Sequence, residues 1–464
     1  MQIREFFIMS TLKRIDATSV PAVENSLAIF DLPVSVVSYN RTFVKELLPL
    51  NTVLRDGPYH FRIYSDSNFW DPSRTYVQLT TSIEKKTDDG DWVAIGEAQL
   101  DDKNVSVIQN YGLSFIRQLK ILVNSIEIYN SGVHYPYFSY INTELLRSFD
   151  SNVGLHSSGC YYADRDGSGK SQTDPTGDGF KKRHERFKEG KKCVTFARLD
   201  FDLANQPRLF LPNTDIVFSV WPSNDRYLIL APDYIGADQQ AVANHTSYQI
   251  KVHDIRLYCT LVDVVQPLQN AIARQLETTP AKYPIRKYEI RTQFLPEGLT
   301  STSFNCFQSI LPRRVLVFFV DNTAYDGAPD LSPFSFSHAN VESIAIESGG
   351  VYVPSTPYRL NFSDQSFMRA YYDFHKTMNQ DEGGELELTL PEYLNGYCGF
   401  GFDLRSLNKE LGDSFELIRN SATVLKVQLS SPVQMPGVQL LVWGESDAVI
   451  TINNDRVISL DGSI

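Results

Sequence analysis

Long apolar runs are missing from this chain. No stretch approaches the roughly 18–20 residues that a bilayer-spanning helix needs, so a helical membrane span is not expected. The opening Met1-Gln-Ile-Arg-Glu-Phe-Phe-Ile-Met9 is short and carries Glu5, so it does not read as a secretory signal. The four Asn-x-Ser/Thr sequons therefore carry little weight. Cysteine is scarce: five residues, at 160, 193, 259, 306 and 398, with no C-x-x-C. A disulfide framework is excluded, and reduced thiols made in an intracellular compartment fit best. Cys259 and Cys398 sit in apolar stretches and read as small core residues. Patterned histidine is absent too. None of the eight His forms H-x-H or H-E-x-x-H, and no G-x-S-x-G occurs. No catalytic residue, metal or cofactor is expected, and the chain does not read as an enzyme. Excess positive charge is also lacking. A net charge of −12 argues against a surface that grips nucleic acid throughout, while leaving room for a local basic patch.

What is present is β-strand pattern. The 464 residues are 42% hydrophobic and include 28 Phe and 24 Tyr, enough to core two or three domains. Period-two alternation marks Thr75–Ile83, Leu119–Ile128, Thr195–Leu203 and Tyr248–Tyr258 as half-buried strands. In the second half, Arg314–Val320 is a continuous apolar run, the mark of a buried strand. Leu386–Leu390, Ala422–Leu429, Val438–Trp443 and Ala448–Asn453 follow. Asp88-Asp-Gly-Asp91 is a hairpin signal, because Gly supplies positive φ. Helical spacing is rare; within the strand-rich regions it marks Tyr137–Phe149 and Phe367–Met378. The class is all-β with few short helices, built as sandwiches.

One segment suggests duplication. Val123–Pro136 aligns without gaps on Val341–Pro354, with seven of fourteen positions identical. A random alignment of that length matches at about one. A separation of 218 residues is too long for a solenoid and reads as two copies of a domain. In both halves a helical pattern follows. Pro267 and Pro280 bracket a stripe of Leu268, Ile272 and Leu276, which reads as a helical linker. The expected organisation is an arm at 1–33, a first unit at 34–265, a linker at 266–283, a second unit at 284–456 and a tail at 457–464.

Residues 150–193 differ, being rich in Gly, Ser and Asp and without strand pattern. Asp164-Arg-Asp-Gly-Ser-Gly-Lys-Ser171 lacks the first Gly of a phosphate-binding loop. As a calcium loop it would place Pro175 where the bidentate Glu belongs. A polar loop is the expectation. It ends in a basic run: Lys181, Lys182, Arg183, Arg186, Lys188, Lys191 and Lys192 against two Glu. Two readings stand, contact with nucleic acid or an acidic partner, and a solvated loop that Phe180 and Phe187 could dock.

The order of several segments resembles the major capsid proteins of Polinton/Maverick elements and adintovirus-like viruses. In the first half these are Gly57–Ile63, Thr75–Leu79, Ser114–Ile128 and Tyr135–Leu146. In the second half they are Leu311–Val320, Pro333–Phe336, Gly401–Leu404 and Leu440–Ile452. The resemblance implies a double jelly roll, two tandem eight-stranded β-sandwiches. It also implies a homotrimer of pseudo-hexameric outline that tiles an icosahedral virion shell. Partners would be neighbouring capsomers, penton and minor capsid proteins, and packaged double-stranded DNA. A carbohydrate- or ligand-binding jelly roll and a metal-dependent jelly-roll enzyme are the rival readings. The first predicts a glycan signal and the second a bound metal.

Overall fold

Eight strands make the first half of the fold: β1 (Tyr39–Leu47), β2 (Tyr59–Tyr64), β3 (Phe69–Lys86), β4 (Ile116–Val123), β5 (Ile126–Asn130), β6 (Cys193–Arg198), β7 (Asp215–Pro222) and β8 (Tyr248–Val264). Eight more make the second: β9 (Ala281–Leu295), β10 (Ser301–Phe307), β11 (Arg314–Asp321), β12 (Val341–Ser348), β13 (Val351–Arg359), β14 (Gly399–Asp403), β15 (Thr423–Leu429) and β16 (Val438–Ile452). This computed structural model describes residues 35–96, 101–145, 154–164, 172–235, 241–242, 246–378, 388–405 and 419–461, with residues 18, 26 and 29. The arm expected at 1–33 is otherwise outside the described residues.

The strands pair as four antiparallel sheets, β1-β8-β3-β6, β2-β7-β4-β5, β9-β16-β11-β14 and β10-β15-β12-β13. Adding eight to every label of the first two sheets gives the last two. Each pair is a jelly roll, so the expected double jelly roll is what the chain forms. The alternation read in the sequence sets the inner faces. Val77, Leu79 and Ile83 of β3 and Tyr59, Phe61 and Ile63 of β2 are buried. Trp70 sits between the sheets, edge-on to Phe210 and Phe218 and stacked on Phe201.

Helices fill the same connection in each roll. α1 (Tyr135–Leu145) and α2 (Asp178–Phe187) lie between β5 and β6. α3 (Gln266–Leu276) joins the rolls, and α4 (Met368–Thr377) lies between β13 and β14. Ile458–Asp461, in the stretch expected as a tail, pairs with β16.

Four expectations change. Leu119–Ile128 is two strands, not one. Asn124 and Ser125 both take positive φ, the turn that matches the twist of a tight hairpin. The strand expected over Thr195–Leu203 ends at Arg198. The buried Leu199, Phe201 and Leu203 enter the core from irregular backbone and a 3₁₀ turn at Asp202–Asn205. Leu390–Leu394 is a helical turn rather than a strand end. Thr389 and Glu392 cap it reciprocally and Pro391 sits in its first turn. Finally, the fourteen-residue match is out of step by one strand. It lays β5 on β12, whereas the counterpart of β5 is β13. The duplication is real, but those seven identities are not equivalent positions.

Candidate assembly surfaces

An aromatic seam joins the rolls. From α1, Tyr137 stacks on Tyr325 at 5.9 Å and Tyr140 on Phe334 at 4.1 Å. Phe138 meets Tyr288 at 5.6 Å, and Phe210 stacks on Tyr283 at 5.0 Å. Polar ties run beside the rings. The Leu211 amide donates to the Tyr283 hydroxyl at 3.1 Å, Arg208 to the Lys282 carbonyl at 2.6 Å and Arg456 to the Pro212 carbonyl at 3.0 Å. Gln172 donates to the Phe334 carbonyl at 3.0 Å and accepts from Ser332 at 2.6 Å. Ring stacking adds about 0.5–1.5 kcal/mol per pair beyond area burial, so the seam favours this packing of the two rolls.

Gly327 is a close backbone approach within it. At φ +97°, a Cβ here would lie 2.8 Å from the Tyr227 nitrogen and 2.9 Å from the Arg226 carbonyl carbon. Gly327→Ala combines left-handed strain with a backbone clash, so it should cost about 2–4 kcal/mol. Urea denaturation checks this; a loss under 1 kcal/mol would show that the seam yields at that point.

His134 lies in the same seam, its Nε2 2.9 Å from the Tyr325 hydroxyl. Burial pushes its pKa down to about 4. The folded protein holds it neutral, while the unfolded chain protonates near 6.5. Its contribution is therefore full above about pH 6.5 and is lost as pH falls towards 4, amounting to about 3 kcal/mol. In urea melts at pH 7 and pH 4.5, His134→Gln should remove part of the acid loss; equal slopes in both proteins would contradict this.

The outer faces of the two rolls are not treated alike. In roll two, β11 is buried on both sides, which is why Arg314–Val320 shows no alternation. Register places Arg314, Leu316 and Phe318 with Glu445, Trp443 and Leu441 on its outer side. Trp443 is covered by Tyr288, which packs on Phe138 of roll one. Phe318 is covered by Phe336 and by Phe374 of α4. Charges are buried there too. Glu445, 1% exposed, sits between Arg286, Arg313 and Arg314, with Asp447 beside it. This is why Gly444-Glu-Ser-Asp447, which separated two expected strands, continues a single one, β16.

In roll one the equivalent face is half-exposed among the described residues. Tyr76, Gln78 and Thr80 of β3 point outward with Arg256 and Tyr258 of β8. Phe196 of β6 stacks on Tyr76 at 5.1 Å and tilts on Tyr258 at 5.5 Å, yet stays 37% exposed. Val194 and Val44 flank it at 48% and 58%. Half-exposed aromatics and valines thus share this sheet face with Gln78, Thr80 and Arg256.

The basic run is a docked helix rather than a loop. Phe180 and Phe187 are buried and pin α2 to the roll. Arg183 is fully buried, donating to the Val107 and Tyr162 carbonyls and to Asp164 at 3.0 Å. The acid that opened the calcium-like pattern is thus engaged by Arg183, and residues 165–171 lie outside the described ones. Arg186 donates to the Tyr162 hydroxyl and the Val194 carbonyl. Lys188 pairs with Glu185, and Lys191 lies 3.6 Å from Glu189. Lys181, Lys182, Lys191 and Lys192 are exposed. The signal was the spacing Phe180, Arg183, Phe187, a helical stripe masked by the surrounding charge. Among the described residues no cluster of His, Cys, Asp and Glu could hold a metal.

No family model matches the chain. In sequence it is similar to the uncharacterized protein F54H12.2 of Caenorhabditis elegans, 24% identical over 412 residues, 87% of this chain and 93% of the relative. In structure it is similar to a chain of the Sputnik virophage, with TM-score 0.61, 14% identity and 98% and 96% of the two chains covered. It is also similar to the PBCV-1 virus capsid, with TM-score 0.59, 9% identity and 94% and 100% covered. The mavirus major capsid protein gives TM-score 0.56, 12% identity and 97% of both chains. At these identities the likeness is one of fold. It is the double jelly roll of viral capsid proteins, and the mavirus protein among them fits the Polinton/Maverick resemblance.

Proposed function

We propose that this chain is a major capsid protein whose three copies close into a pseudo-hexameric capsomer, and that capsomers tile an icosahedral shell around DNA. The observation that carries the reading is the unequal treatment of the two outer faces. Within one chain, the outer face of roll two is covered by its own Phe336 and α4 and, at Tyr288, by Phe138 of roll one. The same face of roll one, with Phe196, Val194 and Val44, is left half-exposed. Repeating the covering contact from chain to chain is a head-to-tail association, which closes a ring when the rotation allows. Three chains supply six rolls, and roll two of each neighbour covers roll one of the next.

The seam supports the same reading, since angular error would accumulate around a shell built of flexible blocks. Such a trimer interface should fall in the range of roughly 2,000–5,000 Å² typical of obligate contacts. Contacts to neighbouring capsomers, penton and minor capsid proteins are smaller and more polar. At a net charge of −12, the packaged DNA is neutralised mainly by other components. The exposed Lys181, Lys182, Lys191 and Lys192 give it a local contact. Light scattering of the purified protein tests the reading: three times the 52.6 kDa chain mass supports it. A monomer at every salt and pH overturns it.

A further inference from the structure

We propose that a cleft at one end of roll two binds a small polyphosphate, either a nucleotide or its inorganic counterpart. The cleft measures about 580 Å³, within the range of small-molecule sites. Its walls are the turn end of the β12–β13 hairpin, α4, and the end of β14 with Arg419 beside it. Four basic side chains line it: Arg369 and Lys376 from α4, Arg405 just after β14, and Arg419. Two acids, Asp373 and Asp403, lie among them. The chain as a whole carries a net charge of −12, so this cationic excess runs against the overall balance.

Both acids are engaged by the walls. Arg405 donates to Asp403 at 2.9 and 2.6 Å, and its side chain is 1% exposed. This pair belongs to the frame of the cleft. Asp373 accepts from the Tyr358 hydroxyl at 2.7 Å. Arg369 lies 3.6 Å from the same carboxylate and 5.2 Å from the centre of the Tyr358 ring. Lys376 is half-buried, and among the described residues no acid lies within ion-pair distance of it. The floor adds to the positive field. Arg314 donates to the Thr377 carbonyl at 3.0 Å, and the Leu404 amide to the Arg313 carbonyl at 2.8 Å. The buried group of Arg286, Arg313 and Arg314 with Glu445 and Asp447 thus lies directly against the cleft.

This surplus calls for an anion of two or more charges. Guanidinium and ammonium donors arriving from separate walls suit the several oxygens of a polyphosphate. The remaining lining includes Leu311, Val351, Val353 and Leu404, an apolar wall for the organic part of a nucleotide. Phosphate recognition is common to both sources, and the apolar wall is what distinguishes them. The cleft is remote in the fold from the Phe196 face and from α2, so the inference goes beyond the capsid reading and does not depend on it.

The test titrates the full wild-type chain calorimetrically with sodium pyrophosphate and, separately, with ATP, both free of divalent metal. One site per chain with Kd below about 1 mM is expected, weakening as salt rises. Tighter binding of ATP assigns the site to nucleotides, and equal affinity assigns it to inorganic polyphosphate. Bound pyrophosphate should also shield Lys376 from acetic anhydride, read by peptide mapping, a measurement that needs no substitution. Lys376→Gln and Arg369→Gln should each weaken binding on the order of tenfold, while Lys376→Arg retains it. Urea melts on the same samples check that the variants fold. Lys86→Gln, exposed at the end of β3 in roll one, should leave binding unchanged. Absence of saturable binding, full acetylation of Lys376 in the presence of pyrophosphate, or equal losses from Lys86→Gln and Lys376→Gln would each overturn the proposal. Each of these outcomes leaves the light-scattering test of the trimer untouched.

Discussion

Replacing Glu445 with alanine costs the protein about 3–5 kcal/mol, the scale for removing one partner from a buried ion cluster. Its carboxylate is held by Arg314, whose Nε lies at 2.9 Å, by Arg313 at 3.2 Å and by Arg286 at 3.6 Å. Arg313 and Arg314 are nearly buried, and Arg314 also donates to the Thr377 carbonyl at the end of α4 at 3.0 Å. With Glu445 gone, Arg286 and Arg313 still face Asp447, at 2.8 and 3.6 Å, while Arg314 loses the carboxylate that it holds. The loss should register as a lower urea midpoint and as early release of α4 in hydrogen exchange. Glu445→Gln keeps the shape and one acceptor, so it should fall between wild type and alanine. A cost for alanine below 1 kcal/mol would mean that water reaches the cluster.

The second large effect concerns association. Phe196→Asp should convert the proposed trimer to single chains while leaving folding nearly intact. The ring is packed on one side only, against Tyr76 and Tyr258, so its loss costs the monomer about 1 kcal/mol. A carboxylate at the centre of an apolar contact costs the interface about 2–4 kcal/mol, a roughly 30- to 1,000-fold weaker association. Light scattering over a dilution series, with urea melts on the same samples, separates the two effects. An unchanged oligomer would exclude this face from the interface; unfolding of the monomer would show that Phe196 belongs to the core.

Much of the fold was legible because antiparallel sandwiches write their inner faces as period-two alternation. β3 and β8 were read that way. β11 was read as buried from its unbroken apolar run, although nothing in the run says what covers it. Three features were not legible, each for a physical reason. Period-two patterns match one another when slid by a whole strand, so the repeat aligned β5 with β12. Glu445 and Asp447 looked like a turn because their partners, Arg313 and Arg314, lie about 130 residues earlier in the chain. α2 looked like a solvated loop because its charge hid a three-residue stripe, in which the central cation, Arg183, is buried on Asp164. The proposed assembly surface was the least visible. Phe196 and Val194 alternate as any half-buried strand does, and only comparison with the covered face of roll two shows what is missing.

The most direct measurement is a cryo-EM map of the purified oligomer at a resolution that traces strands. The expected map shows three chains in a ring of six sandwiches, with the face bearing Tyr76, Phe196 and Tyr258 packed under roll two of the neighbouring chain. Isolated two-roll bricks, or an oligomer that leaves that face in solvent, would contradict it.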